Sequence, residues 1–296
     1  MNRVLLSLLV LLSVPATAAA QDPCAHDAFG LTTGPTRAGL LGGDLGAGWR
    51  ACGRNEIGVS FGGGLTVDLP NFYGALAAPL ALDGSVAVTD RFEVFGQIEL
   101  LRVDYLITPL SSSSIGLGHT SIGVSYGFLR STKLALAAHS RVVLPTARPL
   151  YRNAYPLTLD AGFAGQLEIN RHVQLHGDAT VLMGVMGGKG PAAPRGGGTV
   201  LLGAQFVPIP EVSLVLDMKS RFGWGGEPLD MFAGAIGVRL SDCKRFGFEI
   251  DATIPITGRE RAAVAVELRA SVRLGKIERP LWPDSEMKKR KKKKDA

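Results

Sequence analysis

Hydrophobic and polar positions alternate along this chain with a period of two, in segment after segment. In Leu157–Ile169 the odd positions are apolar or small, while the even ones include Thr158, Asp160, Gln166 and Glu168. Beyond Asn170, Arg171 and His172 the rule resumes, with Val173, Leu175, Gly177, Ala179, Val181 and Met183 on one face and Gln174, His176, Asp178 and Thr180 on the other. Side chains of a strand point alternately to its two faces, so each strand has one apolar and one charge-bearing face. A soluble sandwich would bury the first and expose the second. Many such strands in a secreted chain, with only 7% aromatic residues for a dry core, suit instead a barrel whose apolar face meets lipid and whose polar face lines the lumen. The pattern predicts an all-β protein, a transmembrane antiparallel up-and-down β-barrel of about 12 strands.

Strands are expected near Glu56–Leu69, Ala81–Thr89, Arg91–Tyr105, Ser114–Phe128, Thr132–Pro145, Pro156–Ile169, Arg171–Met183, Gly197–Val207, Glu211–Phe222, Met231–Ser241, Arg245–Ile256 and Arg261–Leu274. Short turns at Thr89–Arg91, Arg130–Thr132, Asn170–Arg171, Pro208–Pro210 and Asp242–Lys244 alternate with longer Gly, Pro and Ser-rich links. The longer ones are Pro70–Leu80, Leu106–Ser113, Thr146–Tyr155, Gly184–Gly196 and Gly223–Asp230. That alternation fits periplasmic turns and external loops, and an even strand number puts both termini in the periplasm. In the third strand the apolar phase slips from Phe92, Val94, Ile98 and Leu100 to Leu101, Val103 and Tyr105, which predicts a β-bulge near Leu100 or a strand reaching beyond the bilayer. Aromatic residues gather at strand ends as interfacial girdles do: Phe72, Tyr73, Tyr105, Tyr151, Tyr155, Phe222, Trp224 and Phe232 at the outer end, Phe92, Phe128, Phe206 and Phe246 at the inner.

The start of the chain supplies the export route. Arg3, the apolar run Val4–Val14 and Ala18-Ala19-Ala20 read as a secretory signal peptide over residues 1–20. A periplasmic segment over 21–55, a barrel over 56–275 and a disordered basic periplasmic tail over 276–296 follow from the strand map. The bacterial outer membrane is thus the expected location, with outer-membrane lipid and lipopolysaccharide as surroundings. The formal charge of +6 falls to about −2 once Arg3 and the seven basic residues of Lys288–Lys294 are set aside. The folded body therefore lacks the basic face that a nucleic-acid-binding domain needs. The tail itself suits a solvated extension, or contact with an anionic leaflet or peptidoglycan. Of the three cysteines, Cys24 and Cys52 are the favoured disulfide pair and Cys243 stands in a turn. No spacing suggests a metal site, and no cofactor is expected.

The stretch Gly116-Leu117-Gly118-His119-Thr120-Ser121-Ile122-Gly123-Val124-Ser125-Tyr126, then Leu134–Ala138 and Val143-Leu144-Pro145-Thr146, resembles the outer-membrane barrels grouped as MetA-pathway-of-phenol-degradation-like proteins. Those carry a Gly-x-Gly-Asp-x-x-apolar-Gly strand and, one hairpin later, a strand ending in Leu-Pro-Thr-Gly. His119 stands here in place of the family's Asp, and Ala147 in place of its Gly. The resemblance implies a barrel transporter, with hydrophobic compounds as its solutes. The last strand ends at Val272-Arg273-Leu274 without the usual terminal aromatic residue of such barrels.

By phase, the lumen receives Glu93, Glu99, His139, Arg141, Asp160, Glu168, His176, Asp178, Asp217, Lys219, Arg221, Arg239, Glu249, Asp251, Glu267, Arg269 and Arg273. Ions in a narrow lumen must be paired or hydrated. Either they form a salt-bridge lattice in a largely closed barrel, or acidic middle strands and the arginines of the last strands face each other across a water-filled pore. The function expected is a channel or transporter for passive or facilitated passage of small solutes. The alternatives are a closed structural or adhesive surface barrel and an outer-membrane hydrolase. The hydrolase would need a Ser–His nucleophile pair, whereas His119, His139 and His176 take the inward phase; the one conceivable acid–imidazole pair is Asp104 with His119. A patch of Tyr151, Arg152, Asn153 and Tyr155, or the loop Pro191–Gly196, would meet an outside partner.

Overall fold

The computed structural model describes residues 55–68, 73–89, 91–107, 112–130, 133–144, 146, 157–170, 172–184, 197–209, 212–223, 231–241, 246–258 and 261–274. The strands are β1 (Glu56–Asp68), β2 (Tyr73–Ala87), β3 (Phe92–Ile107), β4 (Ser112–Gly116), β5 (Thr120–Arg130), β6 (Leu134–Leu144), β7 (Thr158–Asn170), β8 (Val173–Gly184), β9 (Gly197–Ile209), β10 (Val212–Gly223), β11 (Met231–Ser241), β12 (Phe246–Gly258) and β13 (Arg261–Arg273). Apart from β4 and β5, each pairs antiparallel with its chain neighbours, and β1 pairs with β13 from Glu56↔Arg273 to Val67↔Arg261, which closes the ring. Short β4 and β5 follow one another along β3, so the thirteen segments make a closed 12-stranded barrel. The signal-peptide region, nearly all of segment 21–55, the tail, all three cysteines and the Tyr151–Tyr155 and Pro191–Gly196 loops lie outside the described residues.

Exposure is inverted relative to a water-soluble protein. Along β6, Ala135, Ala137, His139, Arg141 and Val143 are buried while Leu134, Leu136, Ala138, Ser140, Val142 and Leu144 face out. Ile57, Val59 and Phe61 on β1, Leu214, Leu216 and Met218 on β10, and Phe246, Phe248 and Ile250 on β12 are exposed. In a closed sheet every backbone N–H and C=O inside the bilayer finds a partner on the next strand, which makes this arrangement tolerable in hydrocarbon.

Three details differ from the sequence reading. The second strand, expected from Ala81, begins at Tyr73, so Pro70–Leu80 is mostly strand rather than loop. Its run Ala75–Leu82 is apolar on both phases and contains Pro79, which hides the alternation. Pairing to β1 stops at Phe61↔Leu80 and resumes at Gly64↔Ala77, stepping past the proline that lacks an N–H, while Pro79 stays in register with Arg102 on β3. The fourth strand is broken: Leu117–His119 separate β4 from β5. Finally, β9 runs through Ile209, so Pro208 and Ile209, expected in a turn, belong to the strand. The phase slip near Leu100 is a bulge: Leu80↔Leu101 is followed by Ala81↔Glu99, Leu100 and Leu101 both face out, and Glu99 and Arg102 both face in.

A charge on the outer face separates this barrel from a soluble one. Leu216, 60% exposed at the middle of β10, replaced by Arg is expected to cost about 2–4 kcal/mol in a bilayer. The check is the denaturant midpoint of the heat-modifiable form in lipid vesicles, with Leu216→Ala as the mild comparison.

Candidate functional site: the charged inner wall

The inner face is polar because the inward phase of nearly every strand carries a charged or hydrogen-bonding residue. Of the residues expected there, Glu93 and Glu99 on β3, His139 and Arg141 on β6, Asp160 on β7, His176 and Asp178 on β8, Asp217 and Lys219 on β10, Arg239 on β11, Glu249 and Asp251 on β12 and Arg269 on β13 are buried. Glu168 and Glu267 are half-buried, and the side chains of Arg221 and Arg273 lie outside those described. Glu56, Asp83, Arg102 and Phe95 share this inner face and were not singled out from the sequence. Asp83 was legible in principle, since Ala81, Asp83 and Ser85 keep one phase.

The pairs seen among Arg141, Arg239, Arg269, His139 and His176 join adjacent or next-nearest strands. Two pairs join adjacent strands in direct register. Arg141 donates to Asp160 through Nε at 2.7 Å and through Nη2 to the same oxygen, and Arg239 Nη2 donates to Glu249 Oε1 at 2.9 Å. Three groups reach farther. Arg269 on β13 crosses β1, its Nη2 donating to Asp83 Oδ2 on β2 at 2.6 Å and to Glu56 Oε1 at 2.7 Å. Imidazole Nε2 of His139 on β6 lies 2.8 Å from Asp178 Oδ2 on β8, across β7. His176 Nε2 on β8 lies 2.7 Å from Asp217 Oδ1 on β10, across β9. Arg239 and Arg269 therefore stand among acids of β1, β2 and β12.

Two of these crossings depend on glycine. Gly203 is the register partner of both His176 and Asp217, and a Cβ there would collide with Asp217 Oδ1 and His176 Nε2. Gly58 does the same for the other long bridge: a Cβ would lie 2.7 Å from Arg269 Nη2 and 2.7 Å from Asp83 Oδ1. The missing side chain leaves the room each bridge passes through.

The break in the fourth strand is organised by Glu99. Its backbone bonds His119 O and Gly118 N at 2.9 and 3.0 Å, and its carboxylate accepts from the His119 N–H at 2.9 Å. Thr146 Oγ1 donates to Gly118 O at 2.7 Å, so the Gly116–His119 segment and the Leu144–Thr146 segment meet in space. In backbone register Asp104 lies opposite Ser114 on β4, whereas His119 lies beside Glu99, five positions away along β3. The Thr180 hydroxyl donates to Asp178 at 2.7 Å, on the carboxylate side of its His–Asp pair. Among the described residues no group of three His, Cys, Asp or Glu side chains converges as a metal would require.

On β8–β10 several buried neutral groups keep unused hydrogen-bonding capacity: His176 Nδ1, Thr199 Oγ1, Gln205 Oε1 and Ser213 Oγ have no partner among the described residues.

With this geometry the barrel superimposes on the crystal structure of an outer membrane channel from Pseudomonas putida, with a TM-score of 0.59 and 13% identity, over 75% of this chain and 96% of that one. The shared property is the outer-membrane barrel fold. The KdgM porin aligns at a TM-score of 0.48 and 7% identity, over 74% of this chain and 99% of its own. A monoaromatic hydrocarbon channel, CymD, aligns at 0.43 and 8%, over 76% and 89% respectively. No family model matches the sequence, and no curated protein does.

The glycine passages give a sharp contrast between positions. Gly203→Ala is expected to lower the melting temperature of the folded barrel, at a cost of about 1–3 kcal/mol, because parting His176 from Asp217 leaves buried polar groups unmatched. Gly234→Ala on β11, where the nearest atom to a Cβ is Ile256 Cδ1 at 3.8 Å, is expected to leave it unchanged. Arg269→Met should cost more, about 3–5 kcal/mol, since it strands Glu56 and Asp83 together.

Proposed function

We propose that this chain is an outer-membrane channel that passes small solutes through its lumen, with the inward charged and polar residues as its lining. The observation that carries the reading is the unmatched hydrogen-bonding capacity of the β8–β10 wall. A buried polar atom without a partner costs about 1–3 kcal/mol. Four of them on one stretch of wall favour a lumen that admits water or polar solute over one filled for structural purposes alone. Local ion pairing adds to this, because paired charges can border a narrow hydrated path without the cost of isolated ions.

The finer affiliation is with the MetA-pathway-of-phenol-degradation-like transporters. It is supported by the contact of the two motif segments through Thr146 and Gly118 and by the shared fold of the Pseudomonas putida channel. In this reading residues 1–20 are cleaved on export, 21–55 and the basic tail over 276–296 are periplasmic, and lipid with lipopolysaccharide surrounds the barrel.

The test is single-channel recording of the refolded, heat-modifiable barrel in a planar bilayer. Discrete steps that scale with salt are the expected result; silence from folded protein would overturn the channel reading in favour of a closed surface barrel. Arg269→Ala is then expected to move the reversal potential in a salt gradient toward cation preference, because Glu56 and Asp83 lose their counter-charge. An unmoved potential would remove Arg269 from the lining.

A further inference from the structure

Among the described residues Phe95 is the one aromatic side chain on the inner face of the barrel; its counterparts, such as Phe61, Tyr126, Phe163 and Phe248, face outward. It is 3% exposed. Glu93 and Gln97, two residues to either side on β3, are both buried and polar, so an apolar ring here interrupts a polar column. A ring on this strand would gain the ordinary burial of a barrel aromatic by taking the lipid-facing phase, and it does not.

The wall beneath the ring is made of small residues on three successive strands. A Cβ on Gly123 of β5 would collide with Cζ and Cε2 of Phe95. The ring packs against Ala164 of β7, whose register partner on β6 is Ala137, 0% exposed. The ring thus leans along the β5–β7 wall in a shallow recess that glycine and alanine provide.

We propose that Phe95 sets the aperture of the lumen: its ring, packed on Gly123 and Ala164 and closed off from water, occupies interior space at this level, so its bulk fixes the largest solute cross-section that passes. This rests on the channel reading and adds to it the residue that determines size. Phe95 carries no charge, so it acts on size alone, while ion preference belongs to the paired charges around it. That separation distinguishes an aperture residue from a merely structural one.

The experiment compares full-length mature wild type with Phe95→Ala, Phe95→Leu and Phe95→Trp in planar bilayers, with lipid-facing Phe163→Ala as control. Phe95→Ala should raise single-channel conductance at least about twofold, Phe95→Leu should fall between, and Phe95→Trp should lower it. The reversal potential should stay unchanged throughout. In liposome swelling with neutral sugars of graded size, Phe95→Ala should admit a larger sugar than wild type. Equal conductance in all three variants beside a conducting wild type, or the same rise in Phe163→Ala, would overturn the aperture role and leave the channel reading standing. A silent wild type beside a conducting Phe95→Ala would overturn the channel reading for the native barrel and identify the ring as what closes it. Silence in every folded variant would overturn both.

Discussion

Everything in this molecule follows from the need to pair backbone groups where no water is available. Inside a bilayer an unmatched N–H or C=O is too costly to tolerate, and a sheet escapes that cost only by closing on itself. Closure is achieved where β1 meets β13, with Asn55 just below: its carbonyl accepts from Leu274 N at 2.8 Å and its side chain from Ala87 N at 2.7 Å, so one residue ties the ends of β13 and β2 to the start of β1. With the ring closed, side-chain alternation is no longer a preference but a partition, one phase to lipid and the other to the lumen. Pro79, the Leu100 bulge and the interruption at Leu117–His119 are places where the partition is maintained although the ladder is disturbed.

The inner phase then has its own problem, because acids and bases set side by side in a confined space must neutralise one another locally. The solution is short range. Arg141 and Arg239 use the residue directly opposite, while Arg269, His139 and His176 skip one strand. Pairing of this kind keeps the wall stable without a filling of apolar side chains. In the proposed channel, the wall offers solutes fixed dipoles and paired ions, and size selection is assigned to a different kind of group.

Most of the barrel was legible from alternation alone. Strands with one clean apolar phase, such as β7, β8 and β11, begin and end within a few residues of where the pattern places them. The pattern failed where it was absent: Ala75–Leu82 is apolar on both phases, so β2 looked short and Asp83 went unremarked, although it anchors Arg269. The inward set was readable because charge avoids lipid, but which charge meets which was not. Partners depend on register and on glycines such as Gly203, which carry no signal of their own until both flanking strands are aligned. Phe95 was legible by phase, since it shares the inward positions with Glu93, Gln97 and Glu99, but an apolar ring carries no charge to draw attention to it.

The bridges that skip a strand have a mechanical meaning. Backbone hydrogen bonds join each strand only to its two neighbours, which leaves a barrel free to flatten, as a hinged hoop does when squeezed. His176 with Asp217 over Gly203, and Arg269 with Asp83 over Gly58, tie next-nearest strands and so resist a change of angle between them. They act as braces spanning the hinges of the hoop, and they resist flattening under the lateral pressure of the membrane.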